Sequence, residues 1–185
     1  MLIPIIYPIS SSNQNINDLI ISLKKLKLNK ISVFQYRRKH LDKLQVKEEL
    51  ELIREICKQE NINYILNSSH KLDLPKECFG LHLTSKDLYK FKKRPLGKEK
   101  ILGASCHNKE DMIKAESLGV DYIFLSPVKK TSSHIHLKSL GWLKFQKFTK
   151  ETNLPVLALG GLEKKDLKLA LKNGAHGVAG ISKFW

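Results

Sequence analysis

Short β-branched or apolar runs bounded by turn residues alternate along the whole chain with longer stretches of helical periodicity. That rhythm is the pattern of βα units around a parallel sheet. Eight runs read as strands, at about residues 3–7, 31–36, 62–66, 80–83, 100–104, 122–125, 156–159 and 177–180. The clearest helix spans 44–59, with Leu50, Ile53, Ile56 and Cys57 on one face and Lys and Glu on the other. Other helices begin after Asn15, Asn108 and Leu162. Asn108, with Asp111 three residues on, is a start signal, Gly119 a left-handed stop, and Asn173 with Gly174 closes the last helix. The interval 88–98 is basic, contains Pro95 and Gly97, and has room only for a short helix.

Eight such repeats predict an α/β fold, a compact (β/α)8 TIM barrel, with an open doubly wound sheet as the alternative. Residues 1–185 read as one domain, since no linker or low-complexity segment divides them. A length of 185 is below the roughly 200 to 250 residues usual for this barrel, so part of it must be trimmed. Only residues 181–185 follow the last strand, and the last outer helix is expected to be truncated. Phe184 and Trp185 are then available to cover the barrel wall or to dock on a second copy in a homodimer.

Composition narrows the setting. With 42% apolar and 28% charged residues the chain can bury a sizeable core. Its longest apolar runs fall far short of the ~18 residues a membrane helix needs, so no span is expected. Pro4 and Pro8, with no basic segment before them, argue against a secretory signal and for a cytoplasmic protein. Cys57, Cys78 and Cys106 are odd in number and form no CxxC pair, which argues for reduced thiols over disulfides or zinc. The formal charge of +15 raises nucleic acid as a partner. The lysines are, however, spread along the chain with no basic stripe and interleaved aromatics. Nucleic acid is disfavoured on that ground, and small-molecule phosphates and diphosphates fit the charge.

In a parallel barrel the chemistry sits at the C-terminal ends of the strands. After the second strand comes FQYRRKH, where Gln35, Arg37 and Lys39 alternate and so point to one side of an extended stretch. An amide, a guanidinium and an ammonium aimed at one place suit a diphosphate, the alternative being a solvated basic turn. PVLALGGL and GAHGVAGIS follow as the last two strand ends, where backbone amides around Gly160, Gly161, Gly180, Ile181 and Ser182 suit a phosphate. SPVKKTSSH after the sixth strand brings Thr131, Ser132 and Ser133 hydroxyls with Lys129, Lys130 and His134, either a lid over an anion or a plain surface loop. His82, His107 and His134 stand near strand ends and read as packing or hydrogen-bonding residues. Cys106 beside His107 lacks the rest of a triad.

The ordered motifs QYRRK, LNSSH, GLHLTSKDL, GASCH, DYIFLSPVKKTSSH, LGW, PVLALGG and GAHGVAGIS resemble the strand ends of the thiamine phosphate synthase/TenI family over about residues 3–183. They are most similar to the synthase-like domain fused behind Nudix hydrolases, which suggests a functional link to a Nudix enzyme. The resemblance implies a magnesium-dependent transferase that joins hydroxymethylpyrimidine diphosphate to thiazole phosphate in thiamine biosynthesis. Carried over by position, Gln35, Arg37 and Lys39 would hold the diphosphate with Thr131 and Ser133. Asn67 and Ser105 would contact the pyrimidine, and Gly161, Ile181 and Ser182 the thiazole phosphate. Asp87 would bind Mg2+.

The chain also departs from the family. Ser68 stands where the synthases carry a second metal-binding aspartate, and His134 where they carry a lysine for the diphosphate. Pro127 occupies the position of the histidine of TenI-type tautomerases. A divergent synthase is the first reading, with the charge of Arg38, Lys129 and Lys130 partly replacing the metal. A non-coupling relative in phosphate binding, salvage or tautomerisation is the second, and a basic nucleic-acid module the third.

Overall fold

The computed structural model of the chain describes residues 3–131 and 138–185. Eight strands follow one another in sequence: β1 (Ile6–Pro8), β2 (Val33–Tyr36), β3 (Asn63–Asn67), β4 (Gly80–Leu83), β5 (Ile101–Cys106), β6 (Tyr122–Leu125), β7 (Val156–Ala158) and β8 (Gly177–Gly180). Every ladder is parallel, and the order β1-β8-β7-β6-β5-β4-β3-β2 wraps the sheet round on itself. The seam between β1 and β2 is closed by a single bridge, Ile9 to Gln35, and by the Ser10 amide donating to the Gln35 carbonyl at 2.9 Å. The structure is therefore the (β/α)8 barrel, not the open sheet.

Among the described residues six α-helices lie outside: α1 (Ile16–Leu28), α2 (Lys43–Glu60), α3 (Ser85–Leu88), α4 (Lys109–Leu118), α5 (Gly141–Thr149) and α6 (Leu167–Lys172). Their ends follow local chemistry. Asn15 and Asn108 accept the backbone N–H three residues on, Asp42 and Gln45 form a reciprocal capping box, and Gly119 takes the left-handed conformation that ends α4. The α5 helix carries no such signal. Leu140 at its start makes no side-chain cap, so sequence periodicity alone did not reveal it.

Trimming is spread over three places. Among the described residues the connection after β3 holds only a 3-10 turn, Ser68–His70, α3 is one turn long, and no helix follows β8. Side chains fill the gaps. Leu72, Leu74 and Cys78 pack beneath β3, and Leu88, Phe91 and Leu96 beside β5. Phe184 is fully buried against β8, and the Trp185 ring meets Phe34 edge-on while its Nε1–H donates to the Ile9 carbonyl at 3.0 Å. These two aromatics thus cover the wall of their own barrel. Apolar residues form two clusters between sheet and helices and a third inside the barrel, where Tyr7, Ile9, Val33, Ile65, Ile101, Tyr122, Phe124 and Leu157 meet. No helix among the described residues is long and apolar enough to cross a membrane.

Candidate active site

Two more residues of pairing at the end of β5 decide where Ser105 points. Ser105 pairs with Phe124 and Cys106 with Leu125, so the strand runs beyond the expected 100–104 and the Ser105 side chain faces the barrel mouth. There a cavity of about 1010 Å3 opens over the C-terminal strand ends. It is lined by Gln35, Arg37, Lys39, Asn67, Asp87, Ser105, Thr131, Gly160, Gly161, Ile181 and Ser182. Its volume is near the top of the range for small-molecule sites and leaves room for more than one ligand. Ser133 and His134 lie outside the described residues.

One side of the cavity is made of side chains. Gln35 is buried, its Oε1 accepts from Asn67 Nδ2 at 2.9 Å, and its Nε2 is a buried donor with no partner among the described residues. Such a donor is costly unless a ligand accepts from it. Beyond it Arg37 and Lys39 continue the alternation expected from the sequence. Their backbone amides donate to Ser10 Oγ at 2.7 Å and Ser12 Oγ at 3.2 Å, so two serines after β1 take over where the ladder stops. Among the described residues neither Arg37 nor Lys39 has a carboxylate partner. Partial burial lowers the pKa of Lys39, and the neighbouring charges of Arg37 and Lys86 lower it further. Like charges held together without a counter-charge form a seat for a multiply charged anion.

The opposite side is made of backbone. Gly160 and Gly161 both have positive φ, +97° and +66°. A Cβ at Gly160 would lie 2.7 Å from Pro127 Cα, and one at Gly161 2.5 Å from the Lys130 carbonyl oxygen. The glycines thus admit the loop after β6, which bonds through Val128 N to the Leu159 carbonyl and Lys129 N to the Gly160 carbonyl. Gly180 lines the cavity with its backbone, and the side where a Cβ would stand is filled by the Phe184 ring. Beyond it, Ile181 and Ser182 reach the cavity.

Some charges lie elsewhere than the sequence suggested. Arg38, expected to help replace a metal, turns away from the cavity, pairs with Glu49 at 2.9 Å and donates to the carbonyls of Ser11 and Gln14. An extended chain sends alternate residues to opposite sides, and Arg38 falls between the two that face inward. Lys129 pairs with Asp166 at 2.9 Å and pins the loop after β6, and neither it nor Lys130 lines the cavity. The cations that do so besides Arg37 and Lys39 are Lys71, Lys86, Lys90 and Lys183. Lys86 and Lys90 flank Asp87 in the sequence, which is the signal that could have drawn attention to them.

Asp87 is densely bonded. Its Oδ2 accepts from the Ser68 hydroxyl at 2.6 Å and the Thr84 hydroxyl at 2.7 Å, and Lys90 Nζ lies 2.6 Å from Oδ1. Burial raises its pKa, but Lys90 and the two hydroxyls outweigh this and hold it below the usual carboxylate value. No group of three or more Cys, His, Asp or Glu among the described residues is arranged to hold a metal. A carboxylate offers about four lone-pair directions, and three are taken here, one of them by a cation. As it stands, Asp87 has one acceptor direction left and already carries an ammonium, so its surroundings match a paired carboxylate and not an open Mg2+ ligand.

Beneath the cavity a chain of hydrogen bonds crosses the barrel interior. Tyr7 OH meets Tyr122 OH at 2.9 Å, Tyr122 OH meets His82 Nδ1 at 3.1 Å, and His82 Nε2 meets Ser105 Oγ at 2.9 Å. Burial, aided by the charge of Arg37, lowers the His82 pKa to about 3, so the imidazole is neutral and fixes Ser105 as a hydrogen-bonding group. His107 Nδ1 donates to the Ser126 carbonyl at 2.8 Å. Burial raises the Cys106 thiol far above its ordinary value, which makes it an inert packing residue.

These strand ends correspond to a known family. Its description, thiamine monophosphate synthase, matches residues 6–184. The chain belongs to the thiamine monophosphate synthase family. The thiamine-phosphate synthase of Persephonella marina is 36% identical over 152 residues, 82% of this chain and 73% of its own. That of Prochlorococcus marinus subsp. pastoris is 34% identical over 179 residues, and the chain spans 96% of itself but only 49% of that longer relative. The solved structure of thiamine phosphate pyrophosphorylase from Pyrococcus furiosus superposes with a TM-score of 0.74 over 96% of this chain and 85% of that one, at 21% identity. That likeness supports the barrel fold.

Proposed function

We propose that this family member joins a pyrimidine methyl diphosphate to a thiazole phosphate, forming thiamine phosphate and releasing diphosphate. The observation that carries this reading is the meeting, in one cavity, of Arg37 and Lys39, which have no carboxylate partner among the described residues, with the buried Gln35 donor, which has no hydrogen-bond partner there either. The bond between the pyrimidine methylene carbon and the diphosphate oxygen breaks, and its electron pair leaves with the diphosphate. The thiazole nitrogen then donates its lone pair to the resonance-stabilised carbon, forming the C–N bond.

Such a reaction needs no side-chain nucleophile. It needs the leaving group's growing charge to be met by fixed cations and the in-plane lone pair of the thiazole nitrogen to be aimed at the methylene carbon. Arg37, Lys39 and the Gln35 amide meet the diphosphate, joined by Thr131, with Ser133 and His134 assigned by position in the family motif. Asn67 and Ser105 hold the pyrimidine, Ser105 being positioned by His82. The backbone around Gly160, Gly161, Ile181 and Ser182 holds the thiazole phosphate. Lys90, paired with Asp87 on the same cavity, adds its charge to those of Arg37 and Lys39. The loss of the second family carboxylate at Ser68 also favours a second reading, a relative that binds these phosphates without coupling them.

The test is to incubate the purified protein with hydroxymethylpyrimidine diphosphate and thiazole phosphate and to quantify thiamine phosphate. Product above the protein-free rate is expected. Saturable binding of both phosphates without product would overturn the coupling reading in favour of the second one.

A further inference from the structure

We infer that the diphosphate end of this cavity binds its ligand without a divalent cation, the Lys90 ammonium supplying the positive charge beside Asp87. The inference rests on the function proposed above. Three observations carry it, and each concerns different atoms. The position facing Asp87 across the strand ends is Ser68, whose neutral hydroxyl donates to the carboxylate at 2.6 Å where a second metal carboxylate would repel it. Lys90 Nζ sits 2.6 Å from the other oxygen of Asp87, and both residues line the cavity. Lys86 lies close enough to Lys39 to depress its pKa, so the cation set reaches from Arg37 past Lys39 to the Asp87 side.

Charge parity supports the exchange. Two carboxylates with Mg2+ sum to no net charge, and one carboxylate with one ammonium does the same. The replacement therefore leaves the balance of the pocket unchanged while removing the need for an ion. Lysine acts on phosphate as a point charge with three N–H donors, and the Lys90 side chain is 63% exposed, so one N–H stays on Asp87 while the others meet a ligand oxygen. The Ser68 and Thr84 hydroxyls keep Asp87 in place meanwhile.

Isothermal titration of the full chain with hydroxymethylpyrimidine diphosphate, once in EDTA and once in excess Mg2+, tests this. Mg2+ complexes the diphosphate in solution, so a site made for the free anion binds equally well or more weakly when Mg2+ is present. Tightening by about tenfold or more on adding Mg2+ would overturn the inference and leave the proposed function standing. No binding in either buffer would overturn the proposed function itself, and the two failures are thus distinct. Lys90→Ala is expected to weaken binding in EDTA by about tenfold, and an unchanged affinity in a folded variant would remove Lys90 from the site. In the double variant Ser68→Asp, Lys90→Ala, Mg2+ is expected to tighten binding. Circular dichroism confirms that each variant is folded, and the wild-type comparison needs no variant at all.

Discussion

The two ends of the cavity are built from different materials. At the β7–β8 end the ligand surface is backbone, shaped by Gly160 and Gly161 and locked by the loop after β6. At the β2–β4 end it is side chain: Gln35 stands on the last pairs of the ladder, Arg37 and Lys39 extend past it, and Asp87 is enclosed by Ser68, Thr84 and Lys90. Backbone amides are supplied by any sequence that can adopt the turn, so change at that end shows as a failure to fold. Side-chain charges can be exchanged one for another while the barrel stands, and the departure at Ser68, beside Asp87, falls there. The difference teaches that affinity and stability are separable at one end and joined at the other.

Substitution at the backbone end should have the largest effect. Gly160→Val places a β-branched side chain at φ +97° and against Pro127, so a stability loss of about 3 kcal/mol is expected in urea unfolding. A variant as stable as the parent would show that this end is not locked. Arg37→Ala should do the reverse. Among the described residues its guanidinium has no carboxylate partner to lose, so the unfolding midpoint should hold while pyrimidine diphosphate affinity falls about 30-fold, or about 2 kcal/mol, by calorimetry. Equal affinity would break the contrast.

The floor of the cavity adds a pH dependence. His82 and His70 are buried, with pKa values lowered to about 3 and about 4 mainly by desolvation and secondly by Arg37. Below about pH 6.5 the unfolded imidazoles take up protons that the folded ones do not, so stability is full above that pH and falls as the pH drops toward 4. The expected slope is about 1.4 kcal/mol per pH unit for each histidine, measured as urea midpoints between pH 7 and 5. A flat profile would mean that these rings are solvated. The smallest effect belongs to Ser12→Ala, which removes the 3.2 Å acceptor of the Lys39 amide. A two- to threefold loss of diphosphate affinity is expected, about 0.5 kcal/mol, with little change in stability.

Much of this was legible in the sequence because it depends on local period and turn chemistry. The strand runs, the caps at Asn108 and Gly119 and the alternation of Gln35, Arg37 and Lys39 all survive into the structure. What escaped depends on contacts distant in the chain. Arg38 reads like its neighbours until Glu49 and the carbonyls after β1 are brought to it. Lys129 reads as a ligand cation until Asp166 is seen beside it. The state of Asp87 could not be read from GLHLTSKDL, because Ser68 reaches it from another strand end. The α5 helix was hidden for a different reason, the lack of any capping side chain.

The central claim, that one cavity receives two phosphate groups at two unlike ends, is tested most directly by a crystal structure with hydroxymethylpyrimidine diphosphate and thiazole phosphate bound together. The expected density puts the diphosphate against Gln35, Arg37 and Lys39 and the single phosphate on the backbone at Gly161 and Ser182. Density with the diphosphate at the glycine end, or with neither phosphate in the cavity, would contradict the account.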